Sequence, residues 1–202
     1  IHLDFSIHNG QTLTLLIRKQ NNGPAILPLT LYSSEEFAHQ QKQQHLFWGG
    51  VIAMLLALAL YNALVYARHP GPAYLWYLTF HATTFLYFSG IHGYGFLLWP
   101  VSLQLYLAQH IMTLNFLVIW LVTRFANVFL NAETNAPWHH RYIHWFGYVC
   151  WPGIVASHLV PEYIMIPFFS VVQVAGSVFG ITMAWTALKN GYRPAIYFLV
   201  SW

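Results

Sequence analysis

From residue 46 onward the chain is a succession of long apolar runs divided by short breaks, and no other feature limits its fold so tightly. Residues 46–67 form 22 positions without a charge, 73–91 form 19, and 101–130 form 30 with Arg124 as their one charge. Residues 142–160 add 19 uncharged positions, carrying Pro152-Gly153 as an expected kink, and 163–188 add 26. Residues 195–202 begin another run. At a rise of about 1.5 Å per residue, roughly 20 apolar residues cross a 30 Å hydrocarbon core. The pattern predicts an all-α polytopic membrane bundle of five complete spans and a truncated sixth. Buried helices of a large soluble protein would show a polar face on some segments, and none of these does. Only 6% of the residues are charged, against about 25% in an ordinary soluble domain. Disorder and a free-standing soluble enzyme are thereby excluded.

Residues 1–40 differ in character. Thr12-Leu13-Thr14-Leu15 alternates, Asn21-Asn22-Gly23 signals a turn, and an extended pattern resumes over 25–32, with Pro28 suited to an edge strand. Two strands make no stable domain alone, so this segment reads as the C-terminal end of a β domain. Ser33 and Glu36 have capping-box spacing, and 37–44 reads as a polar helical lead-in. With no Gly or Pro before the first apolar run, lead-in and span are expected to be one helix. Residues 41–202 are the membrane region. The chain opens at Ile1 without a leader pattern and reads as a piece of a larger protein.

Of the five bases after residue 46, Arg68, Arg141, Lys189 and Arg193 fall in breaks on one side, and Arg124 lies seven residues before the third break, at the same end of its run. The positive-inside rule makes that side cytoplasmic and places the N-terminal segment outside. Phe47, Trp48, Trp99, Trp138, Trp151 and Tyr192 sit near span ends, where aromatic belts form. Two rows of small residues, Gly49-Ala53-Ala57 and Gly176-Gly180-Ala184, have the spacing of close helix contacts.

Candidate chemistry rests on histidine, of which there are 12. His81 falls near the middle of the second span, His110 and Asn115 in the third, and Asn62 towards the end of the first. Polar residues at membrane depth face the bundle interior or a cavity, so these four are the possible intramembrane polar contacts. His81 is expected to make an interhelical hydrogen bond with a partner such as Asn115. His140 and His144 have i, i+4 spacing at the cytoplasmic boundary and read as a headgroup-facing cluster. No acid lies at mid-membrane, and the lone Cys150 excludes an intrachain disulfide and multi-thiolate metal sites. No catalytic motif is present, no catalytic, cofactor or metal residue is assigned, and the dispersed bases do not fit nucleic acid.

Several short stretches combine: Phe47-Trp48-Gly49-Gly50, Leu60-Tyr61-Asn62, Tyr74-Leu75-Trp76-Tyr77, Gly93-Tyr94-Gly95-Phe96 with Trp99-Pro100, Arg124-Phe125, and Gly191-Tyr192-Arg193-Pro194-Ala195. In this order they resemble the bacterial seven-transmembrane receptors with diverse intracellular signalling modules, across residues 40–202. The resemblance implies an extracytoplasmic β-sandwich sensor domain, a carbohydrate-like or other small ligand, a bacterial inner membrane, a seventh span and a cytoplasmic output module such as a diguanylate cyclase or histidine kinase. A homodimer in the lipid bilayer is the expected assembly. The rival reading is a membrane haem, redox or transport component that uses the intramembrane histidines.

Overall fold

The computed structural model describes residues 30–201, the side chain of Leu97 excepted, together with Thr12, Thr14 and Leu16. The expected strands over 12–32 lie almost wholly outside the described residues, among which no strand occurs. From Ser34 the chain is helices and turns: α1 Ser34–Arg68, α2 Pro72–His92, a 3-10 turn Tyr94–Leu97, α3 Val101–Gln109, α4 Ile111–Phe129, α5 Ala132–Asn135, α6 Pro137–Ala156, α7 Glu162–Lys189 and α8 Ala195–Ser201. Three of these, α1, α4 and α7, are long and apolar enough to cross a membrane.

α1 starts at the capping box. The Glu36 N–H donates to Ser33 Oγ at 3.2 Å and the Ser33 N–H donates to Glu36 Oε2 at 3.3 Å. Two donors that would be orphaned at a helix start are thereby satisfied. Glu35 and Glu36 also lie at the positive end of the helix dipole and Arg68 at the negative end. With no proline inside, α1 runs unbroken for 35 residues, lead-in and apolar run together.

The run 101–130 does not form the single span expected. It breaks at His110, which closes α3 and opens α4 with φ −108° and ψ 27°. As one helix, 30 residues would reach about 45 Å, well beyond a hydrocarbon core of roughly 30 Å. The 19 residues of α4 fit that thickness. His110 Nδ1 lies 2.8 Å from the Tyr106 carbonyl, which its own backbone N–H also reaches at 3.1 Å. α6, by contrast, continues through Pro152, starts five residues earlier than the apolar run and has Pro137 in its first turn.

α4 is the hub, packing against α2, α6 and α7, whereas α1 packs on α2 and α8 on α7. A buried cluster joins the ends of α4 to α8: Leu130, Ala136, Ile143, Met183, Ala187 and Phe198. A second, of Ile119, Cys150 and Val172, ties α4, α6 and α7 further along. α1 has no buried residue, and Leu46, Met54, Leu60 and Leu64 are exposed. In water such a surface would associate; against lipid tails it costs nothing.

The two small-residue rows part company. Gly180 and Ala184 are buried and Gly176 lies against the Phe146 ring, as close helix packing requires. Gly49, Ala53 and Ala57 are instead on an exposed surface of α1, with no neighbour within 4 Å of where a Gly49 Cβ would sit.

α4 and α6 come close together at Gly153, under the fully buried Phe116 ring, where a Cβ would come within 2.7 Å of Phe116 Cε1. Gly153→Ala is expected to lower stability by about 1–3 kcal/mol, with Phe116→Leu in the same background recovering part of it. SDS titration of the purified protein followed by circular dichroism measures both. Unchanged stability in Gly153→Ala would show that the ring can give way.

Candidate functional site

Successive long helices run antiparallel, as the Trp48–His92, Tyr77–Phe125, Arg124–His144 and His139–Thr182 contacts show, so Arg68, Arg141, Lys189 and Arg193 gather at one end of the bundle, called here the basic end. The opposite, distal end holds the α2–α3 turn and the first contact between the α1 lead-in and the bundle.

α2 finishes at Gly93, which has φ +73°, a conformation that glycine adopts without penalty. The last carbonyls of a helix need outside donors. Gln104 of α3, 1% exposed, supplies them: its Nε2 donates to Ser89 O at 3.0 Å and Gly90 O at 3.2 Å. Its Oε1 accepts from Trp99 Nε1 at 3.0 Å. Gly95 is pressed beneath this pair, since a Cβ there would overlap Gln104 Oε1 and come within 2.6 Å of Trp99 Nε1. The Gly93-Tyr94-Gly95 and Trp99-Pro100 stretches of the sequence are thus parts of one turn. Gln104, its centre, was not singled out; its signal was a polar residue inside an apolar run.

α1 meets this turn through a polar and aromatic contact. Tyr94 Oη donates to the Gln44 carbonyl at 3.3 Å and lies 3.3 Å from His45 Nδ1. One turn further on, the Trp48 and His92 rings meet at 3.5 Å between centroids, tilted by 30°, and Phe88 lies beside both, 6.0 Å from His92 and 6.3 Å from Trp48. Aromatic pairs of this kind add about 0.5–1.5 kcal/mol each beyond burial.

The four intramembrane polar candidates do not converge. Asn62 turns back on its own helix, Nδ2 donating to Leu58 O at 2.8 Å. His81 and Asn115 are both buried, but no hydrogen bond joins them. His81 instead lies against Tyr77, ring to ring at 4.4 Å, and its Nδ1 has no partner. The expected His81–Asn115 pair therefore fails because the two side chains take up different neighbours. His110 sits at the α3–α4 break near the distal end, stacked on Tyr106 at 4.1 Å and 5.1 Å from the His158 ring. Thr113 Oγ1 bridges Ser157 Oγ at 2.8 Å and His158 Nε2 at 3.3 Å beside it. No group of three or more His, Cys, Asp or Glu comes together among the described residues.

A cavity of about 200 Å³ lies between α2, α4, α6, α7 and α8, with Phe80, Ile143, Met183 and Phe198 in its walls. Gln173 and Ser177 of α7 add polar groups, while the Thr123 hydroxyl is already committed to Trp120 O at 2.7 Å. Its lining suits an apolar occupant or a rearrangement of the surrounding helices more than a polar reaction.

Gln104 provides the sharpest test of the distal turn. Gln104→Leu leaves two carbonyls and the Trp99 indole N–H without partners, so a stability loss of about 2 kcal/mol is expected. SDS unfolding followed by tryptophan fluorescence reads it, and a variant as stable as the parent would remove the capping role.

Comparison with known proteins gives one finding. No curated protein and no solved structure matches the chain. A family model described as 7TM diverse intracellular signalling matches residues 44–202, which begins where α1 meets Tyr94 and includes every helix after it. With most of its length matched by that model, the chain belongs to the 7TM diverse intracellular signalling family.

Proposed function

We propose that this chain is the transmembrane module of a bacterial inner-membrane receptor, joining an extracytoplasmic ligand-binding domain to a cytoplasmic output domain. In this reading α1, α2, α3 with α4, α6 and α7 make five complete spans, and α8 begins the sixth. The basic end faces the cytoplasm by the positive-inside rule, and the segment before Ser33 lies outside as the end of a β sensor domain. The ligand is a carbohydrate-like or other small molecule held by that sensor domain, and the module works as a homodimer. Chemistry belongs to the output domain, a cyclase or kinase.

One observation supports transmission above all: α1 is a single helix from the capped Ser34 to Arg68. At about 1.5 Å per residue it is a rod of roughly 50 Å, longer than the membrane core by the length of its lead-in. It packs along α2, meets Tyr94 just beyond it, and buries none of its side chains. A rod so loosely held can shift or turn without breaking a packed core. A ligand biases such an equilibrium only by its differential affinity for the two states.

The test uses the full-length receptor and its basal output. Two alanines inserted after Gln41 rotate the lead-in by about 200° against the membrane part, and four return it to within about 40°. Output is expected to change strongly with two and to recover with four, while a Gly-Pro insertion at the same point uncouples the halves. Output indifferent to the phase of the insertion and preserved with Gly-Pro would rule out a rigid helical link.

A further inference from the structure

Arg124 is the one charged residue inside the apolar run that forms α4, five residues before the end of that helix. Its side chain points back along the helix, as helical side chains do, and its guanidinium lies over the Trp120 ring at 5.6 Å. Across the seam with α6, Arg124 Nη1 donates to His144 Nδ1 at 3.1 Å. A guanidinium only donates, so that imidazole is neutral with its proton on Nε2. One turn nearer the basic end, His140 Nδ1 donates to Asn127 Oδ1 at 2.9 Å, and the His140 and His144 rings meet edge-on at 5.3 Å. The two histidines are therefore half-buried in the α4–α6 seam and do not form the outward, headgroup-facing cluster expected of their spacing.

This arrangement holds a positive charge at membrane depth with two uncharged partners. The acids among the described residues, Glu35, Glu36, Glu133 and Glu162, make no ion pair with Arg124. A charge so placed is costly unless a counter-charge or water reaches it. The surroundings fit a specific counter-charge. Trp120 makes a floor flanked by Trp76 of α2 at 5.7 Å and Trp151 of α6 at 5.4 Å, both edge-on. α2 and α6 each pack on α4, which sets the indoles of Trp76 and Trp151 against that of Trp120, beside the guanidinium. An apolar indole cluster with a cationic end matches the acyl chains and the phosphate of one lipid. Basic pockets between transmembrane helices at the cytoplasmic side bind anionic headgroups in this way.

We propose that the surface of α2, α4 and α6 around Arg124 binds an anionic phospholipid, its phosphodiester on Arg124 with His144, His140 and Asn127 beside it, and its chains along the indoles of Trp76, Trp120 and Trp151. The proposal rests on the membrane-spanning reading but not on signalling, since lipid binding is measured on this chain without any output domain. Native mass spectrometry of the purified chain, with phosphatidylglycerol or phosphatidylcholine added, counts retained lipid. The parent chain is expected to retain one phosphatidylglycerol about fivefold better than phosphatidylcholine, the preference given by one basic residue at a membrane surface. Arg124→Gln should lose that preference, Arg124→Lys should keep most of it, and Arg193→Gln, an exposed base at the same end, should leave it intact. Inorganic phosphate at millimolar concentration should not displace the lipid. Equal retention of the two lipids by the parent chain, which no folding defect can mimic, would overturn the proposal. An undiminished preference in a monodisperse Arg124→Gln, or displacement by inorganic phosphate, would overturn it equally.

Discussion

Inside a bilayer there is no water to hydrogen-bond a stray carbonyl or amide, so every helix end near membrane depth must find its partners within the protein. Much of the polar chemistry of this chain serves that requirement. Gln104 answers the last carbonyls of α2. Tyr192 Oη donates to Phe129 O at 2.9 Å and Asn135 Nδ2 to Leu130 O at 2.9 Å, answering the end of α4. Asn190 Nδ2 donates to Asn135 O at 2.7 Å, so the α7–α8 turn is fastened to the α4–α6 turn. The Gly191-Tyr192-Arg193-Pro194 stretch and the Gly93-Tyr94-Gly95 stretch thus do related work at opposite ends of the bundle.

The same solvent relaxes a second requirement. Lipid tails are as apolar as leucine, so a helix can leave most of its surface uncovered at no cost. α1 does this along its length, and the consequence is mechanical. Any displacement of α1 reaches the rest of the molecule through α2 and the turn that follows it; the most extensive contact of α2 is with α4, which in turn packs on α6 and α7. The Trp48–His92 ring pair and the Tyr94 hydroxyl join α1 to that path at its distal end. A contiguous series of packed helices is a physical basis for coupling, provided that its members have two arrangements. The cavity beside Phe80 and Phe198 gives the helices room for a second one.

What was legible in the sequence was what depends on one segment at a time. The capping box, the continuity of α1 and the membrane character of the apolar runs each follow from local residues and their hydropathy. The α3–α4 break did not, and the run 101–130 read as one span. Thirty apolar residues overfill a bilayer, but no Gly or Pro marks where the excess must turn, and His110 breaks the helix through φ and ψ that its residue type does not announce. The failed His81–Asn115 pair is of another kind. Depth along a helix can be counted from its ends, whereas the rotation of each helix about its axis is set by packing with neighbours that sequence spacing leaves free. The row Gly49-Ala53-Ala57 had the right spacing for contact and lies exposed for the same reason.

The abundance of histidine takes on a different meaning once the rings are placed. His92 lies on Trp48, His81 on Tyr77, His110 on Tyr106, and His139 meets Phe179 at 5.2 Å. A neutral imidazole is a small aromatic plate with one donor and one acceptor, and burying it costs far less than burying a charge. In a chain with so few charged residues it can tie two helices by a ring contact and a single hydrogen bond, as His139 does when it meets Phe179 and its Nε2 lies 3.3 Å from Thr182 Oγ1. His92 and His139 thus join different helices, whereas His81 and His110 lie on rings one turn back in their own segments, and Arg124 with its neutral partner His144 is the place where a full charge enters the same scheme.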